Sequence, residues 1–267
     1  MNFAIITDLH FGPEARREGK LRKLTAHAGA LTEDFVRRMN DEVKPDLVVN
    51  LGDDIEDESR ELDLARYGEC QALLRRAKAT LVNVAGNHDT IHMNRADLER
   101  FWQRSGPLYY SFDVGPWHFT VMHTIEKKDV EIRVPTPQIE WLAEDLRQAS
   151  KPTIVLMHHS ASEQYLEDSR WFRGKANLAL IKERADIRRV FEASGKVKAV
   201  FNGHVHRNHL DVIGGIPYVT VQSLIENLDE DAPGTPAAAH AVVTLDPARI
   251  TVRVHGNDPA RYQFELT

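Results

Sequence analysis

Five places along the chain set metal-type ligands directly behind a short apolar run: Asp8 and His10 after Asn2–Thr7, Asp53 after Asp46–Asn50, Asn87 and His88 after Leu81–Ala85, His158 after Pro152–Met157, and His204 with His206 after Val197–Asn202. Each run has the length and β-branched content of a buried strand. Taken singly, Asn87, His88 and Asp89 pass for ordinary turn formers behind Gly86. Repetition of the pattern favours a site, because ligands of an open α/β sheet gather at the carboxyl ends of its strands. The donors are carboxylate, imidazole and amide, with no thiolate. Such a set suits manganese, iron, cobalt or zinc in a reactive centre rather than a closed structural zinc cage. These candidates exceed the needs of one ion. They divide into two sites if one carboxylate is shared, the arrangement of two ions about 3.5–4 Å apart that serves in-line displacement at phosphorus.

The elements that must carry these residues follow from periodicity. Strand Asn2–Thr7, a helix near 25–43 and strand Asp46–Asn50 make a strand–helix–strand unit, hence a parallel pair with a right-handed crossover. Extended geometry continued past Thr7 would project Asp8 and His10 to the same side. The charged stretch up to Lys23 reads as an exposed loop behind Gly12-Pro13. A charged helix near 59–78 leads to the strand at Leu81, and a short helix spans 95–104. Residues 108–113 and 117–123 then read as a hairpin turning at Gly115-Pro116, so the sheet is mixed. Thr136 as N-cap and Pro137 at the first helical position start another helix. The span 160–182, holding Tyr165, Trp171, Phe172 and Arg173, has no clean period and reads as a loop or partial lid beside the site. A helix at 183–193 precedes the strand ending at Asn202. Two hairpins close the chain, 210–213 with 216–221 and 241–245 with 250–254. No linker interrupts this order, so a single domain over 1–267 is expected.

Composition narrows the partners. With 267 residues, about three quarters of the unfolded surface can be buried in a chain carrying a formal charge of -6. An acidic balance disfavours nucleic acid and anionic membrane surfaces. The single Cys70 excludes an intrachain disulfide, and no apolar run approaches the roughly 20 residues of a membrane span. The expectation is a cytoplasmic protein without a leader segment.

As an ordered set, Asp8-X-His10, Gly52-Asp53, Gly86-Asn87-His88-Asp89, His158 and Gly203-His204-X-His206 resemble the calcineurin-like metallophosphoesterases. The resemblance covers residues 8 to 206 and implies an α/β (α+β) fold, a four-layer sandwich of two mixed β-sheets flanked by helices. Carried over position by position, it puts Asp8, His10 and His206 on one metal, Asn87, His158 and His204 on a second, and Asp53 as the bridge. Two divalent ions and a phosphate ester substrate are implied, with His88 and Asp53 as catalytic residues. His88 would assist the departing oxygen. Some relatives orient this histidine with an acid three residues after the bridge. That position is Glu56, within the acidic run Asp53–Glu58, and Asp89 is a second candidate.

Adjacent residues of an extended chain face opposite ways, so only one of His158 and His159 can readily be a ligand. His159 then either touches substrate or packs, with packing favoured because histidine is often half buried. His27, His92, His118, His123, His209, His240 and His255 default to surface or core roles. Arg207 either contacts a phosphate oxygen or is a solvated charge. A nuclease of the same superfamily would need a basic track along nucleic acid, and a non-catalytic scaffold would not need the intact ligand set. Hydrolysis of a small-molecule phosphodiester or phosphomonoester is the function that these residues favour.

Overall fold

The computed structural model describes residues 1–266. Its frame is two six-stranded sheets packed face to face. In the first, strands Asn2–Ile6, Leu47–Asn50 and Thr80–Asn83 run parallel, and His240–Leu245, Arg249–His255 and Ala260–Glu265 add an antiparallel flank. In the second, Trp117–Val121, Thr153–Leu156, Val197–Asn202 and Ile216–Thr220 run parallel, flanked by antiparallel edges Tyr110–Val114 and His209–Ile213.

The two-residue period of a strand sorts each run between two cores. Phe3, Ile5, Leu47 and Val49 point between the sheets to meet Phe119, Val121, Ile154, Leu156, Phe201 and Val219. Phe3 meets Phe119 and Phe201 edge-on at 5.6 and 5.7 Å, the arrangement that ring quadrupoles favour. Alternate residues Ala4, Ile6 and Val48 face the other way, beneath helices Ala28–Arg38, Arg60–Leu74 and Arg95–Trp102. Helices Thr136–Gln148 and Arg184–Ser194 cover the outside of the second sheet through Leu142, Leu146, Ile187 and Phe191. The result is the expected four-layer α/β sandwich.

Several local expectations are corrected. Residues before Lys23 form a hairpin of strands Ala15–Arg17 and Lys20–Lys23 rather than a loop, because Gly19 takes a positive φ at the tip. The helix at 25–43 is three short pieces: a 3-10 turn, the α-helix Ala28–Arg38 and a final wide turn Met39–Val43 that ends at left-handed Lys44. Thr136 is not a cap: Pro135 occupies that position. The small hairpin of Ile125–Lys127 with Glu131–Arg133 is too short to signal itself. The last strand, Ala260–Glu265, adds a sixth member to the first sheet beyond the expected hairpins, its Ala260, Tyr262 and Phe264 alternating with exposed polar residues. Among the described residues no helix is long and apolar enough to cross a membrane.

Candidate metal centre

The carboxyl ends of the parallel strands of both sheets open onto one edge of the sandwich, and the chain there leaves extended geometry abruptly. Asp8, His10, Asp53, His204 and His206 all have φ between +49° and +66°. Left-handed backbone is uncommon outside glycine, is commonest for Asn, Asp and His, and concentrates at functional sites at a cost of about 1–3 kcal/mol per residue. Asp8 and His10 therefore converge through two left-handed kinks and not, as extended geometry would have it, by alternation. Two glycines permit the close approach of neighbouring turns. A Cβ on Gly86 would overlap the Asp53 carboxylate and backbone nitrogen, and one on Gly203 would overlap Thr7 and the Asp8 carboxylate.

The seven expected ligands form two groups that meet at Asp53. In the first, His206 Nε2 lies 3.3 Å from Asp8 Oδ1 and 3.2 Å from His10 Nε2. In the second, His158 Nε2 lies 3.1 Å from Asn87 Oδ1, with the His204 ring 5.1 Å from that of His158. Asp53 Oδ2 is 3.2 Å from His158 Nε2 and 3.9 Å from His10 Nε2, within reach of both groups. Its other oxygen accepts the backbone N–H of His88 at 2.9 Å. All seven side chains are buried.

The far nitrogen of each of these four imidazoles has an acceptor, which fixes the ring and turns the other lone pair inward. His10 Nδ1 faces Glu56 Oε2 at 3.0 Å and His206 Nδ1 faces Glu226 Oε2 at 2.8 Å. His158 Nδ1 and His204 Nε2 donate to the carbonyls of Leu51 and Leu178, each at 2.8 Å. The first group is thus braced by carboxylates and the second by neutral carbonyls. Lys23 compensates Glu56 at 2.7 Å.

The field of this cluster calls for positive charge. Burial alone would raise the Asp8 and Asp53 carboxyls, but His206 holds the first and His158 the second well below the usual range. Burial would lower His158 and His206, yet Asp53 lifts the former to about 10 and Asp8 lifts the latter to about 9. Burial, with no carboxylate close enough to overcome it, pushes His204 down to about 3. Divalent cations fit this donor set: buried carboxylates and imidazoles whose lone pairs converge, plus one amide oxygen, in two groups that share an oxygen.

His88 sits beside the cluster. Its ring meets that of His10 edge-on at 4.9 Å, and Nδ1 faces Asp57 Oδ1 at 2.5 Å. Asp57, not Glu56 or Asp89, is the acid at His88. Glu56 is engaged by Lys23 and His10, and Asp89 accepts the backbone N–H groups of Asp53, Asp54 and Gly86 at 2.9 to 3.0 Å. The acidic run marked the neighbourhood without choosing the member. Glu226 carried no sequence signal, lying 20 residues beyond the histidine it braces.

The remaining polar residues resolve as follows. His159 is buried, with Thr124 Oγ1 at 2.7 Å from Nδ1 and its ring 4.1 Å from that of His204. Arg207 is neither free nor directed at the cluster, since it bonds Asp168, Gln164 and the Tyr165 carbonyl. His118 is buried between Asp113 and Asp145, which tie it to the edge of the second sheet.

The model of the calcineurin-like phosphoesterase family matches residues 1–208, most of the chain and the span that contains the seven candidate positions. The chain belongs to that family. The serine/threonine-protein phosphatase CPPED1 of Bos taurus is 31% identical over 190 residues, which are 67% of this chain and 56% of that protein. A probable cyclic nucleotide phosphodiesterase of Synechococcus sp. is 24% identical over 209 residues, 78% of this chain and 74% of that one. Among solved structures, a dimetal phosphatase from Danio rerio superposes with a TM-score of 0.81 at 16% identity, covering 100% of this chain and 99% of the other. That likeness shows a shared fold and identifies no substrate.

Proposed function

We propose that this phosphoesterase hydrolyses small-molecule phosphate esters, diesters or monoesters, at a centre in which Asp8, His10 and His206 hold one divalent cation, Asn87, His158 and His204 hold a second, and Asp53 bridges them. The observation that carries this reading is the position of Asp53 Oδ2, between the nitrogens of His158 and His10 at 3.2 and 3.9 Å. Held there, two divalent ions supply Lewis acidity and charge neutralisation for displacement at phosphorus. Glu56, Glu226 and the carbonyls of Leu51 and Leu178 keep the ligand rings in their donor tautomers. Asp57 holds His88 by Nδ1, which leaves Nε2 to hand a proton to the departing ester oxygen. His88 needs no place among the ligands, because Asn87 supplies its turn's donor.

The relatives named as cyclic nucleotide phosphodiesterases and as a serine/threonine-protein phosphatase set the substrates to compare. The test is a hydrolysis panel with added manganese, zinc, cobalt or iron(II). It contains nitrophenyl phosphate, bis(nitrophenyl) phosphate, cyclic nucleotides, glycerophosphodiesters and a phosphoserine peptide. Turnover that needs a divalent ion and is abolished in Asp53→Asn supports the reading. A chain that binds two ions and turns over none of the panel would instead support a non-catalytic scaffold.

A further inference from the structure

Four consecutive residues of the last ligand turn are each gripped by the span after Ser160. His204 Nε2 donates to the Leu178 carbonyl at 2.8 Å and its ring lies 4.8 Å from that of Phe172. Val205 is buried among Leu166, Ala179 and Leu180. His206 reaches the span through Glu226: His206 Nδ1 and Trp171 Nε1 both point at Glu226 Oε2, at 2.8 and 3.1 Å, and the Trp171 ring sits 5.4 Å from the imidazole. Arg207 Nη1 bonds Asp168 at 2.7 Å and its Nη2 bonds Gln164 at 3.1 Å. The base of the span is closed by a bridge between Ser160 and Leu180, while Arg173 to Asn177 at its tip are exposed.

We infer that residues 164–180 form a clamp on the ligand turn, so that loading of the two metal sites and closure of this segment are one linked equilibrium. The inference rests on the two-metal reading of the site given above. Its physical basis is that the segment provides the outer partner of one ligand in each group: the Leu178 carbonyl for His204, and the Trp171 indole N–H on the carboxylate that orients His206. Loss of such an outer partner lowers metal affinity about 10–100-fold. Linkage is reciprocal, so bound metal must favour the closed segment by the same factor by which closure favours metal. Trp171 and Glu226 are positioning residues in this scheme, and neither is a ligand. Arg207 grips the segment without contact to a donor atom, which separates closure from ring orientation.

The test uses the full chain stripped by a chelator and reloaded with manganese. Tryptic cleavage after Arg173 and Lys175 is expected to slow at least tenfold on loading, while cleavage after Arg249, the exposed first residue of strand Arg249–His255 in the other sheet, stays unchanged. Manganese affinity by calorimetry is expected to fall about tenfold in Glu226→Gln and in Trp171→Phe, which keeps the ring and removes the N–H. Arg207→Ala is expected to lower affinity as well, although it touches no ligand. The emission of Trp171, taken as the difference between the parent and Trp171→Phe, is expected to change on loading. Equal cleavage rates with and without bound metal overturn the clamp, whatever the variants do. So does normal affinity in Arg207→Ala beside lowered affinity in Glu226→Gln, which would reduce Glu226 to a fixed brace. Metal-dependent protection in a chain that hydrolyses none of the phosphate esters sinks the hydrolase reading and leaves the clamp standing. Hydrolysis without protection does the reverse.

Discussion

Asp57→Asn isolates the acid that the structure, and not the sequence, assigns to His88. The side chain keeps its volume and retains one oxygen, but the carboxylate that receives the Nδ1 proton at 2.5 Å is replaced by an amide that can present N–H to the ring and favour the wrong tautomer. The ceiling on the effect is the whole contribution of His88. A general acid supplies about 10²–10⁴ in rate, or about 3–5 kcal/mol at 1.36 kcal/mol per decade. Because His88 keeps its contact with His10, part of that survives, and a loss of about 10- to 10³-fold in kcat is expected for an alkyl phosphate ester. A nitrophenyl ester, whose leaving group needs little protonation, should lose far less. Metal content should be unchanged, since the link from this turn to Asp53 is the His88 backbone N–H and survives any side-chain replacement. The decisive assay is a double-mutant cycle on the alkyl ester. If Asp57 acts through His88, Asp57→Asn in a His88→Ala background costs almost nothing further. Additive losses, or equal losses on the two substrates, refute the dyad.

Four further outcomes are expected. Asp53→Asn should reduce bound metal at both positions while Asn87→Ala mainly weakens the second, as elemental analysis will show. Two full equivalents at parental affinity in Asp53→Asn would remove the bridge. Gly86→Ala should lower the melting temperature and metal content together, at a stability cost of about 1–3 kcal/mol or more, because its methyl overlaps Asp53; an unchanged melting curve contradicts this. His240 is pushed down to about 4 by burial, then by His255 and Arg38. Since that value lies below its ordinary 6.5, the unfolded chain binds the extra proton, so stability holds above pH 6.5 and falls between 6.5 and 4, by about 3 kcal/mol at most. His240→Gln should narrow the gap between denaturation midpoints at pH 7.5 and 5, and an identical gap rules the residue out. Nucleic acid should bind weakly and with strong salt sensitivity; sub-micromolar binding of DNA at physiological salt would revive the nuclease reading.

The strand-end residues that converge in the candidate centre were readable because each lies next to the strand that delivers it, so a local pattern suffices. The braces were not, because they come from elsewhere in the chain. Glu226 reaches His206 from across a hairpin, the Leu178 carbonyl carries no residue-type information, and Lys23 pairs with Glu56 only once the 15–23 hairpin folds over the site. Asp57 shows the intermediate case, in which composition located an acidic neighbourhood and backbone geometry chose one member of it. The same division holds for the fold. Val- and Ile-rich strands declared themselves. Ala260–Glu265 also carries a strand pattern, Ala260, Tyr262 and Phe264 facing the core between exposed Arg261, Gln263 and Glu265, but its place beside Arg249–His255 is set by the sheet edge and not by the local sequence.

The five left-handed residues at the strand ends have a consequence for anyone who tries to make this protein sturdier. Glycine relieves the strain of a positive φ, about 1–3 kcal/mol at such a residue, yet Asp8→Gly or His206→Gly would strip its partner of a buried counter-charge, at a cost of about 3–5 kcal/mol. The strain stored at these positions is therefore not recoverable by glycine, because the side chains that cause it also hold the cluster together. Stabilising changes belong on the outer helices and the antiparallel flank.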